Sequence, residues 1–445
     1  MNIALLSTTF RVVSFVIAII AIAALLASRE EKWWSRRVPL AFGITAAVIG
    51  MLLLIVEVWW QPFQDPVPIG VTAWVAAGCL AITVATLRLR GKNLRARAPK
   101  DSASRVWPHT IATTLTAVIV VICAAAQVNQ TFGAYPTLQA LFGGPMKSQV
   151  AFNTVSGHAQ QTQSAPDSGS FVDAWAPPRN QPKAGVVTTT NIPGTVSGFA
   201  TRNAWIYLPP AYLATPRALL PVLILLNGNP GEPRQWLDGG NAANTMNAYA
   251  AEHGGLAPVV VIPDRLGSAL ANPMCVDSES RGKNFTYLTV DVVQWIKTNL
   301  QVNEDPKQWA VGGLSSGGTC AAQLALNAPD LFPTFLDLSG QDTPTIGSHS
   351  QTVRELFGGS EAAFTAADPL SILASRKFPQ SAGFFAAGSA DSVYGPQTHA
   401  VYIAAKAAGM DATYAEVPGG HDFFVWTEAL QVAMPWLGPR FGLTA

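Results

Sequence analysis

The chain has 445 residues, of which 49% are hydrophobic and only 12% charged, about half the charged share of an ordinary soluble protein. Net charge is +1, but twelve of the 28 basic and five of the 27 acidic residues fall within 1–126 (net +7), leaving 16 basic and 22 acidic beyond it (net −6). Neither part has a basic stripe beside aromatic platforms, which argues against a nucleic-acid partner.

Four apolar stretches, about 4–27, 38–58, 68–87 and 107–126, each approach the roughly 20 residues that cross a bilayer core as a helix. The first ends in small residues, Ala23 to Ser28, as a secretory signal does. Its basic flank follows rather than precedes it, and three more spans come after, so it reads as a retained helix. Arg29, Lys32, Arg36 and Arg37 separate spans one and two. Arg88, Arg90, Lys92, Arg95, Arg97, Lys100 and Arg105 separate spans three and four, whereas the stretch from Gln61 to Ile69 has no basic residue. Basic loops stay on the cytoplasmic side, so everything after about residue 127 is expected outside the cell membrane. Trp33, Trp34, Trp59, Trp60 and Trp107 fall at predicted span ends, where indoles favour the interface. The spans contain no chain of ionisable groups suited to a transport path; the module reads as an anchor.

Residues 127–184 are rich in Gln, Ser, Ala, Pro and Gly and read as a juxtamembrane linker with one ordered piece at Tyr135 to Phe142. From Gly185 the texture changes. Val186–Thr190 and Ala204–Leu208 read as strands, and Pro221–Leu226 as a buried central strand. Strand and helix patterns then alternate: a helix near 240–254, a strand at 257–262, a helix near 285–300 and a strand at 309–311. They continue with a helix near 318–328, a strand at 332–338, a helical stretch near 351–375, a strand at 383–387, a helix near 395–409, a strand at 412–417 and a terminal helix. Such alternation predicts an open, mostly parallel sheet covered on both faces, one α/β domain over 185–445.

Gly313-Leu314-Ser315-Ser316-Gly317 matches G-x-S-x-G, the strand-to-helix corner that lifts a serine hydroxyl above such a sheet. Roughly 0.2 matches are expected by chance in a chain of this length, so context decides. A serine needs a histidine base oriented by a carboxylate, in the chain order Ser, acid, His. Of His349, His399 and His421, only His421 lies between the last strand and the last helix; His399 falls inside a predicted helix, as a surface residue. Asp391, in Gly388-Ser389-Ala390-Asp391 after the penultimate strand, is the leading acid, and Asp342, one strand earlier, is its rival. A helix-capping role is the structural alternative for Asp391. Oxyanion donors are expected from the Ser316 amide and from the loop Asn227-Gly228-Asn229-Pro230-Gly231; Pro230 has no N–H, so Asn229 is the candidate, against the plainer reading of a Gly/Pro/Asn turn. Cys79 and Cys123 fall in spans as packing residues. Cys275 and Cys320 fall in the exported part, where a disulfide persists, with two separate thiols as the alternative. No cluster has metal-ligand spacing, and neither metal nor cofactor is implied.

Tyr207-Leu208-Pro209-Pro210-Ala211-Tyr212, Asn227–Gly231, Gly313–Gly318, Gly388–Asp391 and Gly419–Trp426 together resemble the esterase-D/mycolyltransferase (antigen-85-like) group of α/β hydrolases over about residues 185–438. The resemblance implies an α/β-hydrolase fold with a mostly parallel sheet, here preceded by a four-helix transmembrane module. It also implies a Ser315/Asp391/His421 triad with the Asn229 and Ser316 amides as oxyanion hole. Members hydrolyse carboxylic esters or transfer acyl groups, including mycolic acids onto sugars. Four spans in place of a cleaved signal make the chain more similar to membrane-anchored bacterial esterases. The expectation is therefore an extracytoplasmic serine esterase acting on a lipid or cell-envelope ester. An acyltransferase delivering to a sugar hydroxyl and a non-enzymatic envelope-binding protein are the alternatives.

Overall fold

The computed structural model describes residues 3–28, 30–60, 66–95 and 103–445. Arg29, Arg97, Lys100 and the stretch from Gln61 to Asp65, used above for topology, lie outside the described residues. The chain divides into two compact units, Met1–Gly143 and Gly144–Ala445.

The first unit contains helices α1 (Thr8–Leu26), α2 (Val38–Leu53, with π-helical turns Trp33–Arg37 before it and Leu54–Trp60 after it), α3 (Ile69–Arg95) and α4 (Ala103–Phe132). Over Thr8–Leu26, Trp33–Trp60, Ile69–Arg90 and His109–Phe132 they are long and apolar enough to cross a membrane. Small side chains line their contacts: Ala18, Ala21, Ala41, Ala81, Ala85, Ala117 and Ala124 are all buried. In hydrocarbon, helices gain nothing from hiding apolar surface and associate by close packing instead. Large apolar groups such as Ile20, Met51 and Ile122 point outward, which is costly in water and neutral in lipid. The Gln127 Nε2 donates to the Arg11 carbonyl at 2.8 Å and to Ser14 Oγ at 2.9 Å, a buried polar tie between α1 and α4. Trp33 stands at the start of the second apolar helix, Trp33–Trp60. It is buried, its Nε1 donates to the Leu26 carbonyl at 2.6 Å, and the Arg88 guanidinium lies 5.2 Å from its ring. Arg88 also donates to the carbonyls of Ala24 and Ala27. Together they satisfy the end of α1, whose last carbonyls have no partner within the helix.

The second unit is built on an eight-stranded sheet: β1 (Val186–Asn191), β2 (Asn203–Leu208), β3 (Val222–Leu226), β4 (Val259–Ile262), β5 (Trp309–Leu314), β6 (Thr334–Leu338), β7 (Ala382–Gly388) and β8 (Asp411–Val417). Their spatial order is β8-β7-β6-β5-β3-β4-β2-β1. All pairings are parallel except β1 with β2 and β2 with β4. Every residue of β3, β4, β5 and β6 is buried, as a strand covered on both faces requires. The main covering helices are α5 (Ala242–Glu252), α6 (Val292–Asn299), α7 (Ser316–Asn327), α8 (His349–Leu356), α9 (Glu361–Ala367), α10 (Pro369–Ser375), α11 (Tyr394–Ala407) and α12 (Phe423–Arg440). The single helical stretch expected near 351–375 is thus three short helices. Ser360 and Asp368 restart the chain there, each accepting the backbone amide three residues on, and side-chain capping of this kind favours a new helix start.

The expected linker of 127–184 is not one piece. Residues up to Gly143 belong with the first unit, where α4 runs on to Phe132 and the Leu138 amide bonds the Ile3 carbonyl at 3.0 Å. From Gly144 the segment lies along the second unit. Val150 and Val187 share a backbone bond of 2.9 Å, Thr162–Gln163 pairs in parallel with Arg217–Ala218, and the Phe171 amide reaches the Gly442 carbonyl at 2.9 Å. Phe171 and Trp175 are the buried anchors, and Trp175 Nε1 donates to the Gly254 carbonyl at 2.9 Å. A few aromatic side chains hold a stretch whose polar composition hides them from any periodicity.

Candidate active site

Ser315 stands where β5 ends and α7 begins, at φ 54° and ψ −128°. Few non-glycine residues hold such a backbone, and it is stored strain that the surroundings must enforce. Its amide donates to the Leu338 carbonyl at 2.8 Å, and its carbonyl accepts from Gly318 at 2.8 Å. The flanking glycines are steric necessities. A Cβ on Gly313 would collide with the Gly317 carbonyl, and one on Gly317 with the carbonyls of Leu226 and Asn227.

Above the corner, Ser315 Oγ and His421 Nε2 are 2.9 Å apart, and His421 Nδ1 lies 2.8 Å from Asp391 Oδ2. Three positions separated by up to 106 residues thus form one hydrogen-bonded series. Asp391 Oδ1 accepts the Tyr394 amide at 2.9 Å. Burial pushes the Asp391 carboxyl up, but hydrogen bonds from His421 and from the amides of Tyr394 and Val393, with the His421 charge, outweigh it and hold the group below its ordinary value. The Tyr394 ring stacks on the imidazole at 4.1 Å, and Trp426 meets it edge-on at 5.0 Å. Trp426 is itself fixed by a bond from its Nε1 to Ser339 Oγ at 3.2 Å. Gly388 lets the acid turn and the histidine loop interlock, since a Cβ there would strike the carbonyls of Gly419 and Gly420.

The rival acid, Asp342, follows β6, and its amide donates to Gln397 Oε1 at 3.3 Å. Burial and the nearby Asp368 charge raise its carboxyl, whereas Asp391 is the carboxylate bonded to His421. His399 is exposed on α11 beside Tyr402 and Tyr414, and His349 pairs with Glu361 on the surface.

The loop after β3 packs on the corner so closely that a Cβ on Gly228 would lie 2.8 Å from Leu314 Cδ1 and 3.4 Å from Ser315 Cβ. Asn229 belongs to that loop. Ser316 is the first residue of α7, so its amide has no acceptor within the helix and sits at the positive end of the helix dipole. The sequence reading missed Arg265, which is wholly buried and donates through Nε to the Asn227 carbonyl at 2.5 Å and through Nη2 to Ser316 Oγ. Burial pulls its guanidinium down to about 9, against the opposing influence of Asp264, so it remains a cation at neutral pH. The available signal was an arginine three residues after a fully apolar strand, in Pro263-Asp264-Arg265. A disulfide joins Cys275 to Cys320 in α7, with Cα atoms 5.4 Å apart. Among the described residues no cluster of His, Cys, Asp and Glu could hold a metal ion.

An imidazole bridging a serine and a carboxylate above a strand-to-helix corner, on a sheet of this order, is the layout of the α/β-hydrolase fold. The Esterase family model matches residues 200–437. The chain belongs to that family. It is 34% identical over 443 residues, 97% of this chain and 96% of the relative, to an uncharacterized protein of Corynebacterium glutamicum. That likeness therefore includes the N-terminal helices. A ferulic acid esterase structure is 20% identical, covering 59% of this chain and 100% of its own, at a TM-score of 0.49. MPT51 of Mycobacterium tuberculosis is 18% identical over 57% of this chain and 97% of its own, at a TM-score of 0.43. The fold assignment rests on the strand order and the family match.

Proposed function

We propose that the chain is a membrane-anchored serine esterase whose second unit faces outside the cytoplasm and hydrolyses a carboxylic ester of a lipid or envelope component. The observation that carries the reading is the continuous hydrogen-bonded series Ser315–His421–Asp391. Ser315 Oγ attacks the acyl carbon as His421 Nε2 accepts its proton, and Asp391 keeps Nδ1 protonated and stabilises the imidazolium. The carbonyl oxygen gains its charge against the Ser316 and Asn229 amides. Collapse of the tetrahedral intermediate expels the alcohol, which takes the proton from His421. Water then gives a proton to the same imidazole and attacks the acyl-enzyme, and collapse of the second tetrahedral intermediate returns that proton to Ser315 Oγ as the acid leaves.

The membrane part of the proposal draws on the four apolar helices and on the relative that shares almost the whole chain. A tether raises the local concentration of a membrane-borne ester. A fluorophosphonate probe should label the wild type and not Ser315→Ala; an unlabelled wild type would defeat the reading. With labelling established, purified membrane lipids are supplied and products followed. Free acid supports hydrolysis, whereas acylated sugar would replace it with acyl transfer. The exposed Ser350, changed to cysteine, should react with an impermeant maleimide in intact cells, and reaction only after lysis would reverse the orientation.

A further inference from the structure

We propose that Arg265 is a positioning residue for the oxyanion site, tying the loop that carries Asn229 to the helix start that carries Ser316. This rests on the esterase reading above. The two amides belong to different elements, the loop after β3 and the first turn of α7, each three residues beyond the last paired positions of the neighbouring strands, Leu226 and Gly313. Arg265 bridges those elements with one rigid group: Nε on the Asn227 carbonyl, two residues before Asn229, and Nη2 on the Ser316 hydroxyl. A guanidinium holds its donors in a fixed fork, so it sets a spacing that a flexible side chain would leave loose. Displacement of a reacting group by about 1 Å can cost on the order of 100-fold in rate.

The charge has a second consequence. The Asp264 carboxylate is engaged by the Arg202 amide at 2.7 Å, by Arg202 Nε at 2.9 Å and Nη2 at 2.6 Å, and by the Leu266 amide at 3.3 Å. Arg265 makes its own bonds to a carbonyl and a hydroxyl instead, leaving its cationic field directed at the corner where negative charge would develop. A well-packed apolar side chain would satisfy the fold at lower desolvation cost. The hydroxyl of Ser316 thereby acquires a role separate from that of its amide.

The test uses the full-length chain in detergent. Fluorophosphonate titration counts competent serines, and acylation by a p-nitrophenyl ester is then measured per titrated site. Ser316→Ala keeps the amide and removes the Arg265 acceptor; it should acylate about tenfold more slowly with KM within about threefold. Arg265→Met should lose about 100-fold or more, and Arg265→Lys, which keeps the charge, should recover part of that. The double variant Arg265→Met/Ser316→Ala should be no slower than Arg265→Met, because both remove one contact. A merely structural arginine would lower the titrated fraction and Tm while leaving the rate per site unchanged. That outcome, or losses that simply multiply, overturns the proposal. If Arg265→Met fails to fold, Ser316→Ala decides alone: a wild-type rate rejects the role. An unlabelled wild type would instead defeat the esterase reading itself.

Discussion

Replacing Asp391 by asparagine changes almost no volume, yet it should silence the serine through the tautomer of His421. The Asp391 Oδ1 is committed to the Tyr394 amide at 2.9 Å, so an asparagine must keep its carbonyl oxygen on that side. Its NH2 then faces the position 2.8 Å away where His421 Nδ1 lies. Two donors cannot share that contact, and Nδ1 has to become the acceptor. The ring proton moves to Nε2, which now donates to Ser315 Oγ across 2.9 Å and can no longer accept its proton. The same logic in Ser-His-Asp enzymes gives a loss of about 10⁴ in kcat, or about 5.6 kcal/mol at about 1.4 kcal/mol per decade. Single-turnover acylation of full-length Asp391→Asn by a p-nitrophenyl ester measures this step without interference from deacylation. Asp342→Asn is the control, expected within about threefold of wild type because His421 is oriented by Asp391. Retention of more than a tenth of the rate by Asp391→Asn, or a larger loss from Asp342→Asn, would refute the reasoning.

Gly313→Ala should abolish probe labelling and lower Tm, because its methyl falls on the Gly317 carbonyl and the corner must open; labelling at the wild-type rate would contradict this. Removing the Cys275–Cys320 bridge, which spans 45 residues, should cost about 2–4 kcal/mol, read as a lower midpoint in denaturant for Cys275→Ala/Cys320→Ala. Burial pushes the carboxyl of Asp337 up to about 7, against the Gly340 amide, which favours the ionised form. The folded state then holds a proton that the unfolded chain releases near pH 4, so this residue lowers stability as pH rises from about 4 to about 7. Asp337→Asn should remove that contribution, and its Tm advantage over wild type should grow across the same interval; a constant difference would exclude it.

Period and punctuation made most of the second unit legible. The run Pro221–Leu226 and the turn at Gly313–Gly317 are local signals, because a buried strand needs continuous apolar residues and a tight corner needs glycine. The spans were equally local, since crossing a bilayer demands some 20 apolar residues in succession. Hydropathy located Trp33 at a span end but did not say that its indole would find the Leu26 carbonyl and the Arg88 guanidinium. The segment from Gly144 was read as a linker because Phe171 and Trp175 are isolated in polar sequence, and their burial depends on grooves made elsewhere.

Sequence alone determined that Ser315, His421 and a downstream carboxylate follow in hydrolase order, and that an apolar quarter precedes them, because chain order and periodicity are properties of the string. Tertiary structure decided which carboxylate meets the imidazole, what holds the imidazole, and that a buried arginine joins the loop after β3 to the corner. Arg265 and Ser316 are 51 residues apart, and Asp391 and His421 are 30 apart. Contacts at such separations follow from the register and packing of strands, which no local pattern encodes.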